Sequence, residues 1–343
     1  MNVFQNVSLH DYSTMRLGGN ARYVGEIHSR QELTDALEWA ATQKVPVMMV
    51  GSGSNIVWKD EGYPGLLLAN KILRFETFEE DAENIYITAG AGELWDSVVE
   101  RTVDAGLTGI EALSLIPGTT GATPIQNVGA YGQEIATTLT TVEAYDTQEK
   151  KFVTIPVSDC NFGYRTSRFK TTDHGRFFIT AITLHLRRGN PLAPYYESVQ
   201  KYLADNNIKD TVTPAVLRKA VIAIRRSKLP DPAVVANNGS FFANPVIDVG
   251  QANQLIANYP DMPQWPIKDG RIKIPAAWLV EQAGFKDFHD PETGMATWPT
   301  QALVFINEKA QRTADLLKFK QKVVSAVEQK FGIALEQEPE LLP

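Results

Sequence analysis

Several short segments of this chain combine residue types that could hold or transform a ligand. Gly51-Ser52-Gly53-Ser54-Asn55 follows an apolar run, and glycines in such a place let backbone N–H groups approach an anionic phosphate closely. The segment is not the dinucleotide fingerprint G-x-G-x-x-G, because Ile56 stands where the third glycine belongs, and Gly90-Ala91-Gly92 is not followed by one either. A tight strand-to-helix turn is the other reading of both. A second stretch runs from Pro117 to Gly132 with no helical or strand period and almost no charge. So long an aperiodic loop is either disordered or an ordered ligand cradle, and its low charge favours the cradle. Its small residues allow close backbone approach, while Gln126 and Asn127 offer amide donors and acceptors to a flat heterocycle.

Three more segments carry single reactive groups. In Phe162-Gly163-Tyr164-Arg165 the arginine sits among aromatics and glycine. That setting suits a partly buried guanidinium holding a carboxylate, although a solvated surface charge is the common alternative. In Asn237-Asn238-Gly239-Ser240-Phe241-Phe242-Ala243-Asn244-Pro245 the serine could be a nucleophile, a proton donor or a turn hydroxyl. No G-x-S-x-G elbow surrounds Ser240, and His10, His28, His174, His185 and His289 show no triad pattern, so acyl transfer is disfavoured. Glu336, Glu338 and Glu340 form an acidic end that composition alone would leave solvated. No H-x-H or H-E-x-x-H spacing occurs, and one cysteine cannot build a zinc site, so no metal is expected.

These segments need elements to position them. Ser29 and Glu32 form a capping box, after which Leu33, Ala36, Leu37 and Ala40 recur at helical spacing. Val45–Val50 reads as a buried strand feeding the 51–55 turn, and Ile85–Thr88 as a second strand leading to a helix around Leu94, Val98 and Val99. Strands are expected at Thr141–Tyr145, Lys151–Ile155 and Phe177–Leu186. Thr213-Pro214, a capping residue followed by proline at the first helical position, starts a helix that passes through Leu217, Val221 and Ile224. Further helices are expected at Ala276–Ala283 and from about Lys309 to Phe331. The layout is α+β, with boundaries near residues 70 and 210 and lobes packed around a shared cleft.

Composition narrows the function. The 343 residues carry a net charge of −7 with no basic stripe, a poor match to nucleic acid or anionic membrane. The single cysteine, Cys160, excludes an internal disulfide framework and fits a reducing compartment. Neither an apolar leader at the N-terminus nor a membrane-spanning run is present. A cytoplasmic location is expected.

Taken in order, Gly-Ser-Gly-Ser-Asn (51–55), the 116–132 stretch, Phe-Gly-Tyr-Arg (162–165), Lys-Leu-Pro-Asp-Pro (228–232) and Gly-Ser-Phe-Phe-x-Asn-Pro (239–245) resemble the enolpyruvyl-UDP-N-acetylglucosamine reductase family. The resemblance runs from about Tyr12 to Glu338, and the Tyr195-Tyr196 insertion resembles its longer, type I subclass. It implies an FAD-binding fold of the vanillyl-alcohol-oxidase (PCMH) type: lobes at 1–70 and 71–210, then an α+β substrate domain at 211–343 whose end returns to the active site. It implies non-covalent FAD, with Gly51, Ser52, Gly53, Ser54 and Asn55 at the phosphates. Pro117, Gly118, Gly121, Ala122, Ile125, Gln126, Asn127, Gly129, Ala130 and Tyr131 would cradle the flavin. NADPH would be the reductant, the enolpyruvyl nucleotide the substrate, UDP-N-acetylmuramate the product, and the protein a monomer.

The same resemblance implies a catalytic trio. Arg165 would stabilise the charge that develops beside the substrate carboxylate. Ser240 would protonate carbon as a general acid, and Glu338, with Glu336 and Glu340 as alternatives, would act on the carboxyl region. Tyr164, Lys228, Asn244, Lys273 and Gln301 match substrate-binding positions, the lysines suiting a diphosphate, and Tyr195 the tyrosine that folds over substrate. Departures are Trp265, where a tyrosine is usual near the uridine, Pro339 after the glutamate, and Met15 where an aromatic is usual. Two alternatives remain at this stage: a flavin oxidase of the same fold acting on another alcohol or sugar, and a flavin-binding module without turnover.

Overall fold

The computed structural model describes residues 1–267 and 269–343. The fold is α+β, and the chain forms two compact units: Met1–Val7, Ala21–Ser52 and Tyr63–Ser227 make the first, and Ser8–Asn20, Gly53–Gly62 and Lys228–Pro343 the second.

The first unit contains two sheets. In one, the strand order is Val3–Ser8, Asn20–Ile27, Tyr63–Asn70, Val47–Val50. The last two strands run parallel, as do the second and third. Leu66, Leu67 and Leu68 are all fully buried, the continuous apolar run that a parallel strand covered on both faces demands. Helix α1 (Arg30–Gln43) makes the crossover and buries Leu33, Ala36 and Ala40. Its cap closes one residue early: the Ser29 hydroxyl accepts the Glu32 N–H at 3.1 Å, while the Glu32 carboxylate accepts from His28 N–H at 2.6 Å rather than from Ser29.

The other sheet is antiparallel, in the order Lys151–Pro156, Leu139–Asp146, Phe177–Arg188, Asn84–Gly90, Phe75–Glu79, with Leu107–Thr108 alongside the end of the third. The strands expected here from the sequence lie within these, two extended at both ends and two only at the C-terminal end. Ile85, Ile87 and Ala89 alternate inward against Trp95, Val98, Val99 and Val103 of helix α2 (Trp95–Asp104).

Helices α3 (Glu197–Asp205) and α4 (Pro214–Lys228) complete the unit. Thr213 caps α4 as expected, its hydroxyl accepting from Val216 N–H at 3.3 Å. Leu217, Ala220, Val221 and Ile224 of α4 pack with Val199 and Leu203 of α3 and with Ala112. Arg218 of α4 also donates to Asp96 of α2 at 2.6 Å. These contacts carry the first unit on to Ser227, past the boundary read near 210, and the early segments 8–20 and 53–62 belong to the second unit.

The second unit is built on an antiparallel sheet, in the order Asn237–Ser240, Gln301–Asn307, Met295–Trp298, His289–Asp290. A smaller sheet joins Val246–Ile247, Ile272–Lys273 and Trp265–Pro266. Helices α5 (Val249–Asn258), α6 (Ala276–Gln282) and α7 (Thr313–Phe331) surround a core in which Phe305 stacks on Phe241 at 4.5 Å and meets Phe319 of α7 at 4.8 Å. Helix α7 starts later than the expected Lys309, because Lys309 N–H is bonded to Gly294 C=O at 2.9 Å. Met15, Leu17 and Val57 fill the same core from the early segments. Ile56–Trp58 pairs in parallel with Glu340–Leu342, so the chain continues as a strand after Pro339. Among the described residues no helix is long and apolar enough to cross a membrane.

Candidate active site

In the first unit the 117–132 stretch is ordered, and backbone bonds to the turn before α2 explain why. Trp95 N–H donates to Gly118 C=O at 3.1 Å, Thr120 N–H to Glu93 C=O at 2.9 Å, and Gly121 N–H to Ala91 C=O at 3.0 Å. Only glycine fits at two contacts. A Cβ on Gly121 would lie 2.5 Å from the Ala91 Cβ, and one on Gly51 would lie 2.1 Å from the Thr119 hydroxyl. The start of the glycine turn therefore rests on the start of the cradle. Glycine and alanine backbone with almost no charge would suit a flat heterocycle joined to a diphosphate.

Asn127 is committed to holding this loop. It is buried, with φ 49°. Its Nδ2 donates to Glu134 and to the Gly163 carbonyl, both at 3.1 Å, and its Oδ1 accepts from Ala136 N–H at 3.1 Å. It thus ties the cradle to the segment that carries Arg165. That arginine has φ 54°, and its Nη2 donates to the Gly129 carbonyl at 3.0 Å. Tyr164 is 48% exposed, with the Arg165 guanidinium 5.4 Å from its ring centre. Ile125 accepts the Ser167 hydroxyl at its carbonyl, 2.6 Å away. Pro117 and Ala122 are exposed, whereas Gln126, Ala130 and Tyr131 are half-buried. Tyr195 packs in the cluster of α3, α4 and Tyr131, its hydroxyl donating to Pro191 C=O at 3.1 Å.

In the second unit Ser240 ends a bulged strand. Asn237 pairs with Ile306 and Ser240 with Val304, with a register shift between them. Gly239 occupies that shift with φ 71°, a conformation L side chains avoid. Thr14 and Asn238 lock the bulge. The Thr14 hydroxyl donates to Asn237 C=O at 2.6 Å, and Asn238 Nδ2 donates to the Thr14 hydroxyl and to Ile56 C=O, each at 3.1 Å. The Ser240 hydroxyl itself has no hydrogen-bond partner among the described residues. Gly53 of the glycine turn is buried in this unit, and a Cβ there would meet the Tyr12 carbonyl at 2.2 Å.

The acidic end reaches the same strand. Ala243 N–H donates to Glu336 C=O and Glu338 N–H to Phe241 C=O, both at 3.0 Å, with Phe242 bridged to Gln337. Glu338 therefore lies opposite Phe241, one position from Ser240. Glu336 is exposed; Glu338 is half-buried, as is Glu340, which has already entered the strand against Ile56. Asn55 joins this group, its side-chain amide 3.5 Å from Glu338 C=O, while Ser54 is half-buried in the same turn.

The expected substrate residues of the second unit fall into two groups. Lys228 is exposed, and its carbonyl accepts the Thr300 hydroxyl at 2.9 Å, next to Gln301. On the small sheet Trp265 pairs with Lys273, whose ammonium lies 5.6 Å from the indole, and Lys273 pairs in turn with Val246. Asn244 adjoins that sheet, but its Oδ1 accepts from Ala276 N–H at 2.9 Å, which leaves its amide donors for other partners.

Sequence reading missed the ionic support behind the cradle. Arg218 grips Asp96 in a bidentate pair. Although burial opposes it, the Arg218 bond and that from Leu115 N–H hold the Asp96 carboxyl below its ordinary value. The signal was present as Arg218 and Arg225 at helical spacing, but nothing in the sequence pairs them with Asp96. Burial pushes the Cys160 thiol up to about 11, which makes it a neutral packing group.

Comparison with known proteins gives a consistent relationship. Residues 21–151 match the family model described as an FAD binding domain, and residues 231–342 that of the UDP-N-acetylenolpyruvoylglucosamine reductase C-terminal domain. Similar proteins include the UDP-N-acetylenolpyruvoylglucosamine reductases of Dechloromonas aromatica, at 40% identity over 99% of each chain, and of Cupriavidus pinatubonensis, at 38% over 97% of each. The crystal structure of the corresponding Thermus caldophilus reductase shares the fold, with a TM-score of 0.68 at 23% identity over 100% of both chains.

Proposed function

The chain belongs to the UDP-N-acetylenolpyruvoylglucosamine reductase family, a family of oxidoreductases, and from that premise we propose that it reduces UDP-N-acetylglucosamine enolpyruvate to UDP-N-acetylmuramate for peptidoglycan precursor synthesis. NADPH is the reductant on this reading. FAD, held without a covalent tether, would supply the redox chemistry that links nicotinamide to substrate. Residues of the 117–131 stretch would hold the flavin, and those of the 51–55 turn its phosphates. The enzyme works as a cytoplasmic monomer.

This chain's own groups do the rest. The Arg165 guanidinium orients the substrate carboxylate and stabilises the negative charge that spreads onto it when hydride adds to the terminal alkene carbon. The Ser240 hydroxyl gives its proton to the neighbouring carbon, which completes addition of two hydrogens across the double bond. Glu338 polarises the carboxyl region from the adjacent strand. Lys228 and Lys273 neutralise the diphosphate, Trp265 stacks on the uracil, and Asn244, Gln301, Tyr164 and Tyr195 fix the sugar nucleotide.

The observation that carries the reading is the unengaged Ser240 hydroxyl, on a strand held by a glycine bulge and paired with the backbone of Glu338. A serine in that state has no histidine to make it a nucleophile, and suits a proton donor. The test is anaerobic spectroscopy of the flavin. NADPH should bleach the visible band, and the enolpyruvyl nucleotide should restore it. Ser240→Ala should bleach normally and recover slower by about three orders of magnitude or more, the upper range for a lost general acid. Wild-type protein that bleaches without recovering would remove the substrate assignment, and recovery of Ser240→Ala at the wild-type rate would remove the proton donor.

A further inference from the structure

Glu111 is fully buried, yet every group that bonds its carboxylate is neutral. Its Oε1 accepts from the Thr108 hydroxyl at 2.8 Å and from the Gln133 side-chain amide at 3.1 Å, and its Oε2 accepts from Gly109 N–H at 2.6 Å. A carboxylate withdrawn from water is tolerated only where its lone pairs are met in this way, and each donor is then fixed in turn. Two of these donors come from the turn that carries Glu111 itself. The third arrives from 22 residues along the chain. Gln133 also returns the contact, because its Oε1 accepts from Ala112 N–H at 2.8 Å. Both ends of one side chain are thus spent on residues 111 and 112.

The pair joins the two ends of the 117–132 stretch. Glu111–Leu113 is a 3-10 turn just before it, and Gln133 stands just after it. Gln133 also opens the second strand of a two-stranded ribbon, in which Gln133 lies opposite Ala130 and Glu134 opposite Gly129. The Gly129 carbonyl is the one that accepts from Arg165 Nη2 at 3.0 Å. Asn127 restrains this ribbon from the Glu134 side chain. Glu111 restrains it from the opposite end, against the segment that enters the stretch. A tilt of the ribbon about Gln133 would carry the Gly129 carbonyl, and with it the guanidinium, away from its place.

We propose that Glu111, acting through Gln133, is a positioning residue for Arg165. The proposal rests on Arg165 acting on the substrate carboxylate as hydride reaches the substrate, so it concerns the second half-reaction and leaves the first alone.

The test exchanges the two partners. Gln133→Glu keeps the side chain's length and the acceptor for Ala112 N–H but sets a second carboxylate against Glu111 in place of the donor. Adding Glu111→Gln restores the bond with its roles reversed: the new amide donates to position 133 and to the Thr108 hydroxyl, and its oxygen still accepts from Gly109 N–H. In anaerobic spectroscopy of the holoenzymes, Gln133→Glu should bleach with NADPH at close to the wild-type rate and recover with the enolpyruvyl nucleotide about tenfold slower. The exchanged pair should regain most of the recovery rate. Recovery of Gln133→Glu at the wild-type rate overturns the proposal. Equal slowing of both half-reactions does so too, since that is the mark of a merely structural role, as does an exchanged pair no faster than Gln133→Glu alone. If Gln133→Glu purifies without flavin, Gln133→Met severs the contact without adding a charge and is read in the same way. Loss of flavin from that variant as well overturns the proposal, because the contact would then serve cofactor retention instead. Wild-type protein that bleaches and never recovers would remove the substrate reading beneath.

Discussion

Asn127 connects the stability of the cradle to the placement of Arg165, and replacing it by alanine would separate the two. The carboxamide makes bonds to Glu134, Gly163 and Ala136, all at 3.1 Å, from a buried left-handed position. Truncation leaves the Ala136 N–H without a partner, while the Gly163 carbonyl keeps the Thr166 N–H at 3.3 Å. Ala136 is half-buried, so its loss falls near the low end of the range, about 1 kcal/mol. Holding alanine rather than asparagine in the left-handed region adds about 1 kcal/mol. The expected cost is roughly 2 kcal/mol, read by urea denaturation of the flavin-free protein. Because Gly163 stands two residues before Arg165, turnover should fall further than FAD affinity. Asn127→Gly, which tolerates the same backbone, should recover about 1 kcal/mol of stability and little of the turnover. Asn127→Ala with wild-type stability and turnover would refute the idea that this amide positions Arg165.

Other outcomes follow from single contacts. Gly51→Ala should weaken FAD binding in a fluorescence-quenching titration, and Thr119→Ala added to it should restore part of the loss, since the clash is with the Thr119 hydroxyl at 2.1 Å. Arg218→Met should cost about 3 kcal/mol in urea denaturation, because it strands the Asp96 carboxylate that it grips at 2.6 Å. The bidentate Arg176 hydrogen bonds hold buried Asp146 down at about 2, below its ordinary range. A depressed carboxylate stabilises above the unfolded value and loses that contribution as pH falls through the folded one. Wild type should therefore exceed Asp146→Asn in stability at neutral pH, and the gap should shrink between about pH 4 and pH 2; a gap that persists at pH 2 would count against the ion pair.

Local patterns were legible wherever one element could satisfy itself. Leu33, Ala36 and Ala40 gave α1, Thr213-Pro214 gave the start of α4, and the apolar run at 45–50 gave a parallel strand, which spans only Val47–Val50 and buries fully only Val50. The α7 start was misplaced because the tie from Lys309 to Gly294 is a long-range bond with no periodic signature. The placement of α4 was hidden for a related reason. An amphipathic helix does not announce which neighbour will cover it, and α4 is covered by α3 and Ala112. The glycine turn and the order of the 117–132 stretch were recognisable by composition. Their dependence on Thr119, Ala91 and Asn127 was not, because close approach and amide clamping are properties of pairs. Ser240 was visible as a serine beside glycine, but the bulge and the Thr14 and Asn238 bonds that leave its hydroxyl unengaged join positions far apart in the chain.

The interleaving of the two units bears on how the protein is made. Ile56–Trp58 pairs with Glu340–Leu342, and Met15 and Val57 enter a core otherwise drawn from residues after 240. On the ribosome these early segments emerge without their partners and wait, apolar side chains uncovered, for nearly the whole chain to be synthesised. The second unit therefore cannot close before Leu342 has been synthesised. Nascent chains stalled after Ser227 should be sensitive to protease at residues 53–62, although the strands on either side of that segment already have their mates.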